Sequence, residues 1–353
     1  MAAKSSPKKL KIQLVAKTPY QGSGPRGVDL YATNLFQELS KKYPHDHYQL
    51  TRDQSKAGKG TFIHYTFFDP FFLTLPLRSP SIRIVTIHDL IPLKFPDHFP
   101  SGLRGKLKWQ LQKMAVKNTS AIITDSESSA RDIEELITYP RERIHIIPLA
   151  APNTTITAEL ARGIQAEYGL PSRYLLYVGD INWNKNIPGL IRAFGELENK
   201  RVHLVLVGKA FVSGKGTKEY REIQQSISES GAMARIHLLG FVPSHHLPAL
   251  YHQATLYVQP SWYEGFGFPI LEALMQECPV LSSCGGSLPE VGGEYAHYFD
   301  PTQKRDLIEK LNELLSDSTK RTRHSIGGKI WAKRFSWEKV AETTHQVYED
   351  LSH

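Results

Sequence analysis

The sequence predicts an α/β protein made of two doubly wound domains. Short β-branched apolar runs alternate with helical segments along nearly the whole chain. Such alternation implies parallel sheets with helical, right-handed crossovers. The pattern runs twice, and 353 residues exceed what one typical core organises.

In the first half, Ile12–Val15, Phe62–Tyr65, Ile82–Ile87, Ala121–Thr124 and Ile144–Ile147 read as strands. In the second, Tyr174–Val178, Val202–Val207, Ile236–Leu239, Leu256–Val258 and Val280–Ser282 do so. Several are almost continuously apolar, as strands covered on both faces must be. Helical patterns fall between them at Asp29–Lys42, Leu103–Lys117, Ser128–Leu136, Pro188–Leu197 and Pro269–Glu277. Small and polar residues from Ala150 to Thr157, a helix at Ala158–Tyr168 and the breaker Gly169-Leu170-Pro171 mark the change of domain. The expected division is 1–168, 169–334 and a terminal helix within 335–353 that returns to the first domain, with Ser336 as its N-cap.

Composition excludes several classes. Hydrophobic residues make up 41% and charged residues 22%, as in ordinary globular proteins. Two cysteines, Cys278 and Cys284, offer neither a disulfide framework nor zinc-ligand spacing, which fits a reducing compartment. No apolar run reaches the length of a membrane span, and the first residues lack the pattern of a signal peptide. The expected location is cytoplasmic.

The net charge of +8 is unevenly placed. Residues 1–168 hold 23 Lys+Arg against 15 Asp+Glu, whereas residues 169–353 hold 20 of each. The first half is thus suited to something anionic. Within it, Leu103–Lys117 carries Leu103, Leu107, Leu111 and Met114 at helical spacing among Arg104, Lys106, Lys108, Lys113 and Lys117. No acid occurs from Phe99 to Thr124. A basic amphipathic helix of this kind can lie on an anionic membrane, giving peripheral contact with its inner face. No helix-turn-helix, zinc-finger or RNP signature accompanies the charge, so nucleic acid is not an expected partner.

The segment with the most chemistry is Glu264-Gly265-Phe266-Gly267-Phe268-Pro269-Ile270-Leu271-Glu272. It joins the end of a strand to a helix that starts near Pro269. Its glycines let backbone amides approach a ligand, and a helix N-terminus favours phosphate. Glu264 in the loop can accept hydrogen bonds from sugar hydroxyls, and Glu272 in the helix can accept both hydroxyls of a ribose.

Two glutamates framing Gly-Phe-Gly at this spacing resemble the Glu-x7-Glu motif of glycosyltransferase family 4. Tyr174–Phe194, Leu204–Lys209, Leu239–Tyr251 and Gly285–Gly293 resemble that family's second domain, in its order. Thr86–Pro96 and Thr124–Ile133 resemble its first domain, especially in the lipopolysaccharide and O-antigen mannosyltransferase branch. The resemblance implies the GT-B architecture, two Rossmann-like domains facing across a cleft. It also implies a retaining hexosyltransferase that moves a sugar from a nucleotide diphosphate to a saccharide or lipid-linked acceptor. GDP-mannose is the favoured donor, with a UDP-sugar or a glucosyl donor as the other choices.

Position by position, the resemblance makes Lys185 the donor-diphosphate lysine, Glu264 the acid that holds the sugar 3-hydroxyl and Glu272 the ribose acid. Gly208 and Lys209 fall at the turn beside the nucleotide, and Phe241 and Val242 line the base. Phe266, Gly267 and Phe268 give main-chain contacts to sugar and phosphate. His88 faces the reacting sugar, at the carboxyl end of its strand. Gly24, Arg26 and Gly27 belong to a glycine-rich loop near the acceptor and the donor phosphate.

Asp180 departs from the pattern, standing where many family members carry arginine. Its charge would repel diphosphate unless turned away, which leaves the cationic role to Lys185, with Arg26 or Lys209 as further candidates. No Asp-x-Asp motif occurs, so no metal and no cofactor are expected. No well-supported nucleophilic carboxylate stands out either, and the resemblance implies front-face attack with the proton passing to the leaving phosphate. The alternatives are another GT-B enzyme such as a nucleotide-sugar epimerase, or a non-catalytic sugar-nucleotide or nucleic-acid-binding protein.

Overall fold

The computed structural model describes residues 9–16, 27–52, 61–150, 154 and 156–352. They form two compact units, residues up to Leu149 together with Ser336 onwards, and Ala150–Phe335.

The first unit runs β1 (Lys11–Val15), α1 (Gly27–Lys42), β2 (His47–Thr51), β3 (Phe62–Tyr65), β4 (Arg83–Thr86), α2 (Ile91–Lys94), α3 (Gly102–Lys117), β5 (Ala121–Thr124), α4 (Glu127–Ile137) and β6 (Ile144–Ile146). The second runs α5 (Ala158–Glu167), β7 (Tyr174–Val178), α6 (Ile187–Gly195), β8 (His203–Val207), α7 (Ala210–Ser213), α8 (Lys218–Glu229), β9 (Ile236–Leu239), α9 (Leu247–Gln253), β10 (Leu256–Gln259), α10 (Phe268–Met275), β11 (Val280–Ser283), α11 (Leu288–Gly292), β12 (His297–Phe299), α12 (Lys304–Ser316), α13 (Ser318–Arg323) and α14 (Ser325–Ala332). The closing helix α15 (Trp337–Asp350) belongs to the first unit and packs on α1.

Each unit holds a six-stranded parallel sheet among the described residues. The first has the order β2-β1-β3-β4-β5-β6 and the second β12-β11-β10-β7-β8-β9. In the second sheet the chain moves outward from β7 to β9, then returns to the other side of β7 with β10. The gap between β7 and β10 is therefore a switch point, where loops from the two strands diverge and leave a crevice at their carboxyl ends. Buried Leu175, Tyr177, Phe194, Leu206 and Phe211 are among the side chains that fill the core beneath.

Two strands lie outside the sequence expectations. β2 is polar and only partly covered, and β12 is three residues long. Both are edge strands, which lack the two-sided apolar covering that marks the inner ones. The unit boundary also falls earlier than the expected 168. The helix α5 packs on α9, with Tyr168 Oη 3.0 Å from His246 Nδ1, and so belongs to the second unit. The Ser336 side chain accepts from the Lys339 amide, as expected of an N-cap, and Ser126 accepts from the Ser129 amide to start α4.

The terminal helix is fastened by a buried polar chain. Tyr348 Oη lies 2.7 Å from His64 Nδ1, and His64 Nε2 lies 2.8 Å from Thr86 Oγ1. Thr86 Oγ1 in turn meets Tyr31 Oη of α1 at 3.2 Å. Burial, with the charge of His88 nearby, drives the His64 pKa down to about 3, so its ring is neutral and serves as a connector. Tyr348→Phe leaves His64 Nδ1 buried without its partner. It is expected to cost about 1–3 kcal/mol in urea unfolding and to increase amide exchange in α15.

Candidate active site in the second unit

The loops after β7 and β10 meet at the switch point and are stitched by three hydrogen bonds. The Trp262 amide donates to the Asn184 carbonyl at 2.7 Å. Asn184 Nδ2 donates to the Tyr263 carbonyl at 3.0 Å and Asn186 Nδ2 to the Pro260 carbonyl at 3.1 Å. Asn186 holds a left-handed backbone at φ 51°, a conformation that asparagine tolerates better than most residues. It ends a single 3-10 turn, Trp183–Lys185, and opens α6.

This arrangement brings Lys185 onto Glu264. Lys185 Nζ lies 2.8 Å from Oε1 and 2.7 Å from Oε2 of a buried carboxylate. Glu264 Oε1 also accepts from Gln259 Nε2 at 2.9 Å and Ser261 Oγ at 2.7 Å. The loop after β11 closes around the same acid. Ser287 donates its amide and its hydroxyl to the Glu264 carbonyl, each at 3.1 Å. A Cβ on Gly286, whose φ is +67°, would stand 2.3 Å from that carbonyl, so only glycine fits there. Gln259 and Ser261 carried no signal in the sequence, because their role depends on the fold of a loop rather than on spacing.

Gly267 caps α10 with φ 96°, and Pro269 stands in the first helical turn, as expected. Phe266 is buried edge-on to Phe335, so its ring is a core group. Phe268 and Pro269 are half-buried. Glu272 accepts from Tyr251 Oη at 2.9 Å, and burial raises its pKa to about 7 despite that bond. Gly208 closes on the β7 turn: a Cβ there would stand 2.0 Å from the Gly179 carbonyl. Its need for glycine is thus explained by packing between two strand ends. Lys209 and Phe241 are exposed, whereas Val242 is buried and its side chain faces the core.

Asp180 is turned onto its own turn. Its Oδ1 accepts from the Ile181 amide at 2.8 Å, while its carbonyl accepts from Tyr177 Oη at 2.8 Å.

His88 belongs to the first unit and just follows β4. Its Nδ1 lies 2.7 Å from Oδ2 of the buried Asp125. The register that pairs Thr86 with Ile123 continues to these two residues, which explains the contact. Burial opposes the imidazolium, but Asp125, with Asp89 and a Thr66 backbone bond, more than offsets it and raises the His88 pKa; burial raises that of Asp125. The Tyr31 ring meets His88 edge-on, with centroids 5.0 Å apart. Gly27 opens α1, and the expected loop residues Gly24 and Arg26 lie outside the described residues. Among the described residues, no three His, Cys, Asp or Glu side chains cluster to hold a metal ion.

Two family models match the chain. Residues 15–151 match Glycosyltransferase Family 4, and residues 165–331 match Glycosyl transferases group 1. The O-antigen chain mannosyltransferase B of Escherichia coli is 32% identical over 291 residues, covering 81% of this chain and 74% of the relative. The serotype-specific mannosyltransferase WbdA of Escherichia coli is 28% identical over 321 residues, covering 86% of this chain but only 38% of the relative. Among solved structures, a sucrose-phosphate synthase from Thermosynechococcus elongatus superposes with a TM-score of 0.79 at 19% identity, covering 97% of this chain and 99% of that one.

Two parallel α/β units of this topology, with the likeness to solved glycosyltransferase structures, give the chain the GT-B architecture. The chain belongs to glycosyltransferase family 4 and is a glycosyltransferase.

Removing the Lys185 charge leaves Glu264 buried with two neutral side-chain donors. Because Lys185 keeps some solvent contact, Lys185→Met is expected to cost about 1–3 kcal/mol rather than the larger figure of a fully buried pair. Urea unfolding followed by fluorescence reads the loss, and Lys185→Arg should restore part of it.

Proposed function

We propose that this glycosyltransferase moves a mannosyl unit from GDP-mannose to a saccharide acceptor, with retention at the anomeric carbon and without a metal ion. The observation that carries the reading is the Lys185 ammonium, fixed by Glu264 at the carboxyl edge of β7 and β10. A fixed cation there offsets charge that grows on a leaving diphosphate. The N-terminus of α10 opens at the same loop, and the positive end of a helix dipole favours an anion there. The choice of mannose is supported by similarity to the E. coli mannosyltransferase.

In this reading Glu264 accepts a hydrogen bond from a sugar hydroxyl, and Glu272 holds the ribose diol. His88 faces the sugar, its Nδ1 oriented by Asp125. Gly208, Lys209 and Phe241 border the nucleotide, as do the backbones of Val242, Phe266, Gly267 and Phe268. The acceptor oxygen bonds to the anomeric carbon as the bond from that carbon to the diphosphate oxygen breaks. The acceptor proton passes to a leaving phosphate oxygen, so no covalent enzyme intermediate forms. The protein contributes orientation and charge stabilisation.

A thermal-shift panel of nucleotide diphosphate sugars in EDTA tests this. GDP-mannose should raise the melting temperature selectively, and Lys185→Ala or Glu264→Ala should abolish the rise. Since the Glu272 pKa stands near 7, donor affinity should weaken as pH falls from 8 to 6, where the carboxyl gains a proton. A selective shift with a UDP-sugar would reassign the donor. A shift that requires Mg²⁺ would overturn the metal-free step.

We also propose that α3 rests on an anionic membrane, which would present a lipid-linked acceptor. No helix among the described residues is long and apolar enough to cross a membrane. Most of the α3 stripe is exposed, however: Leu103 is 86% exposed, Leu107 65% and Met114 50%, while Leu111 is half-buried. The buried side of the helix is Gly105, Gln112, Ala115 and Val116. Gln112 binds Thr74 and Leu75, which holds the exposed Phe72 and Leu73 close to α3. Apolar tips amid Arg104, Lys106, Lys108 and Lys117 suit a bilayer with acidic headgroups. In flotation assays the protein should rise with phosphatidylglycerol vesicles but not with phosphatidylcholine, and Leu103→Glu with Leu107→Glu should abolish binding.

A further inference from the structure

A cavity of about 270 Å³ lies beside α6 and α8 of the second unit. Trp183 and Trp262 wall one part of it, with ring planes 20° apart and centroids 6.4 Å apart. Arg192 of α6 and Glu219, Glu222 and Glu229 of α8 are among its lining. These acids recur at helical spacing, so α8 turns one polar face to the cavity.

Paired indoles offer flat apolar faces to which the C–H face of a sugar ring is complementary, and the surrounding carboxylates and guanidinium accept and donate to hydroxyls. Three carboxylates against one arginine disfavour a second nucleotide diphosphate. A neutral polyhydroxy ligand meets no such penalty.

The cavity is joined to the candidate active site through the backbone. In the three-residue turn Trp183–Lys185, the first residue lines the cavity and the last binds Glu264. A 3-10 turn rotates each residue by a third of a circle, so its first and last members face different ways. Trp262 precedes Glu264 in the partner loop, and its amide bonds Asn184. One stitched pair of loops thus carries the ion pair on one side and the indoles on the other.

We propose that this cavity is a saccharide subsite, distinct from the donor pocket, that holds sugar units of an acceptor or product chain remote from the reacting end. The choice of ligand rests on the saccharide-transfer reading above, but the site itself rests on the cavity.

Isothermal titration with linear neutral mannan, glucan and galactan oligosaccharides tests it on the full chain. At least one series should bind. Trp183→Leu and Glu222→Ala should each weaken that binding by about tenfold or more, equivalent to about 1.4 kcal/mol. Neither should alter the thermal shift given by a nucleotide sugar, and Lys185→Ala should leave oligosaccharide binding in place. Absence of binding by every series would overturn the proposal, as would binding indifferent to both cavity variants. Binding lost in Lys185→Ala but kept in Trp183→Leu would also overturn it, since the sugar would then sit in the donor pocket. If no nucleotide sugar binds but an oligosaccharide does, with the expected variant pattern, the subsite stands while the donor assignment falls.

Discussion

The second unit depends on one buried carboxylate. Glu264 stands in a loop with little room for water, and a bare charge there would be costly. Lys185, Gln259 and Ser261 satisfy it from three directions. Each must be in place for the others to be useful, so the carboxylate fixes the relation of the β7 and β10 loops. Its own carbonyl is taken by Ser287, which brings the β11 loop into the same arrangement. A lysine held this way has lost much of its rotamer freedom before any ligand arrives. The loop therefore holds a pre-organised cation at the carboxyl ends of β7 and β10.

The first unit solves a different problem. A helix from the far end of the chain must be kept on a sheet built from its beginning. Apolar packing alone would leave His64 unsatisfied. The chain Tyr348–His64–Thr86–Tyr31 instead joins α15, the sheet and α1 through groups that are all buried. Tyr31 then meets His88, which is oriented from the other side by Asp125. The neutral imidazole of His64 and the proton-favouring environment of His88 lie on neighbouring strands. Burial lowers the His64 pKa, whereas at His88 the effect of burial is more than offset by Asp125 together with Asp89 and a backbone bond.

Charge separates the surfaces of the protein. The basic excess in the first half includes α3, whose lysines stand among exposed leucines. The cavity beside α8 is acidic, and the ion pair next to it is internally compensated. The three environments differ in sign: basic at α3, acidic at the cavity and balanced at the ion pair. Asp180 fits this pattern because it is spent on its own turn.

The doubly wound class, ten of the twelve strands among the described residues and the glutamate-framed loop were legible in the amino acids alone. Apolar runs and turn residues encode these locally, and the order of motifs identified the family. The sequence also marked Gly267, Pro269 and Ser336, whose roles follow from backbone rules that operate over a few residues. Of the four edge strands, β6 and β9 carry apolar runs and were legible, whereas β2 is polar and β12 is three residues long, and these two escaped. Only the tertiary structure decided that α5 joins the second unit, that Asp125 orients His88, and that Gln259 and Ser261 support Glu264. It alone showed that Gly208 answers to the Gly179 carbonyl and that Leu103 and Leu107 of α3 are exposed. These depend on which strands are neighbours and in what register, a constraint shared by residues far apart in the chain.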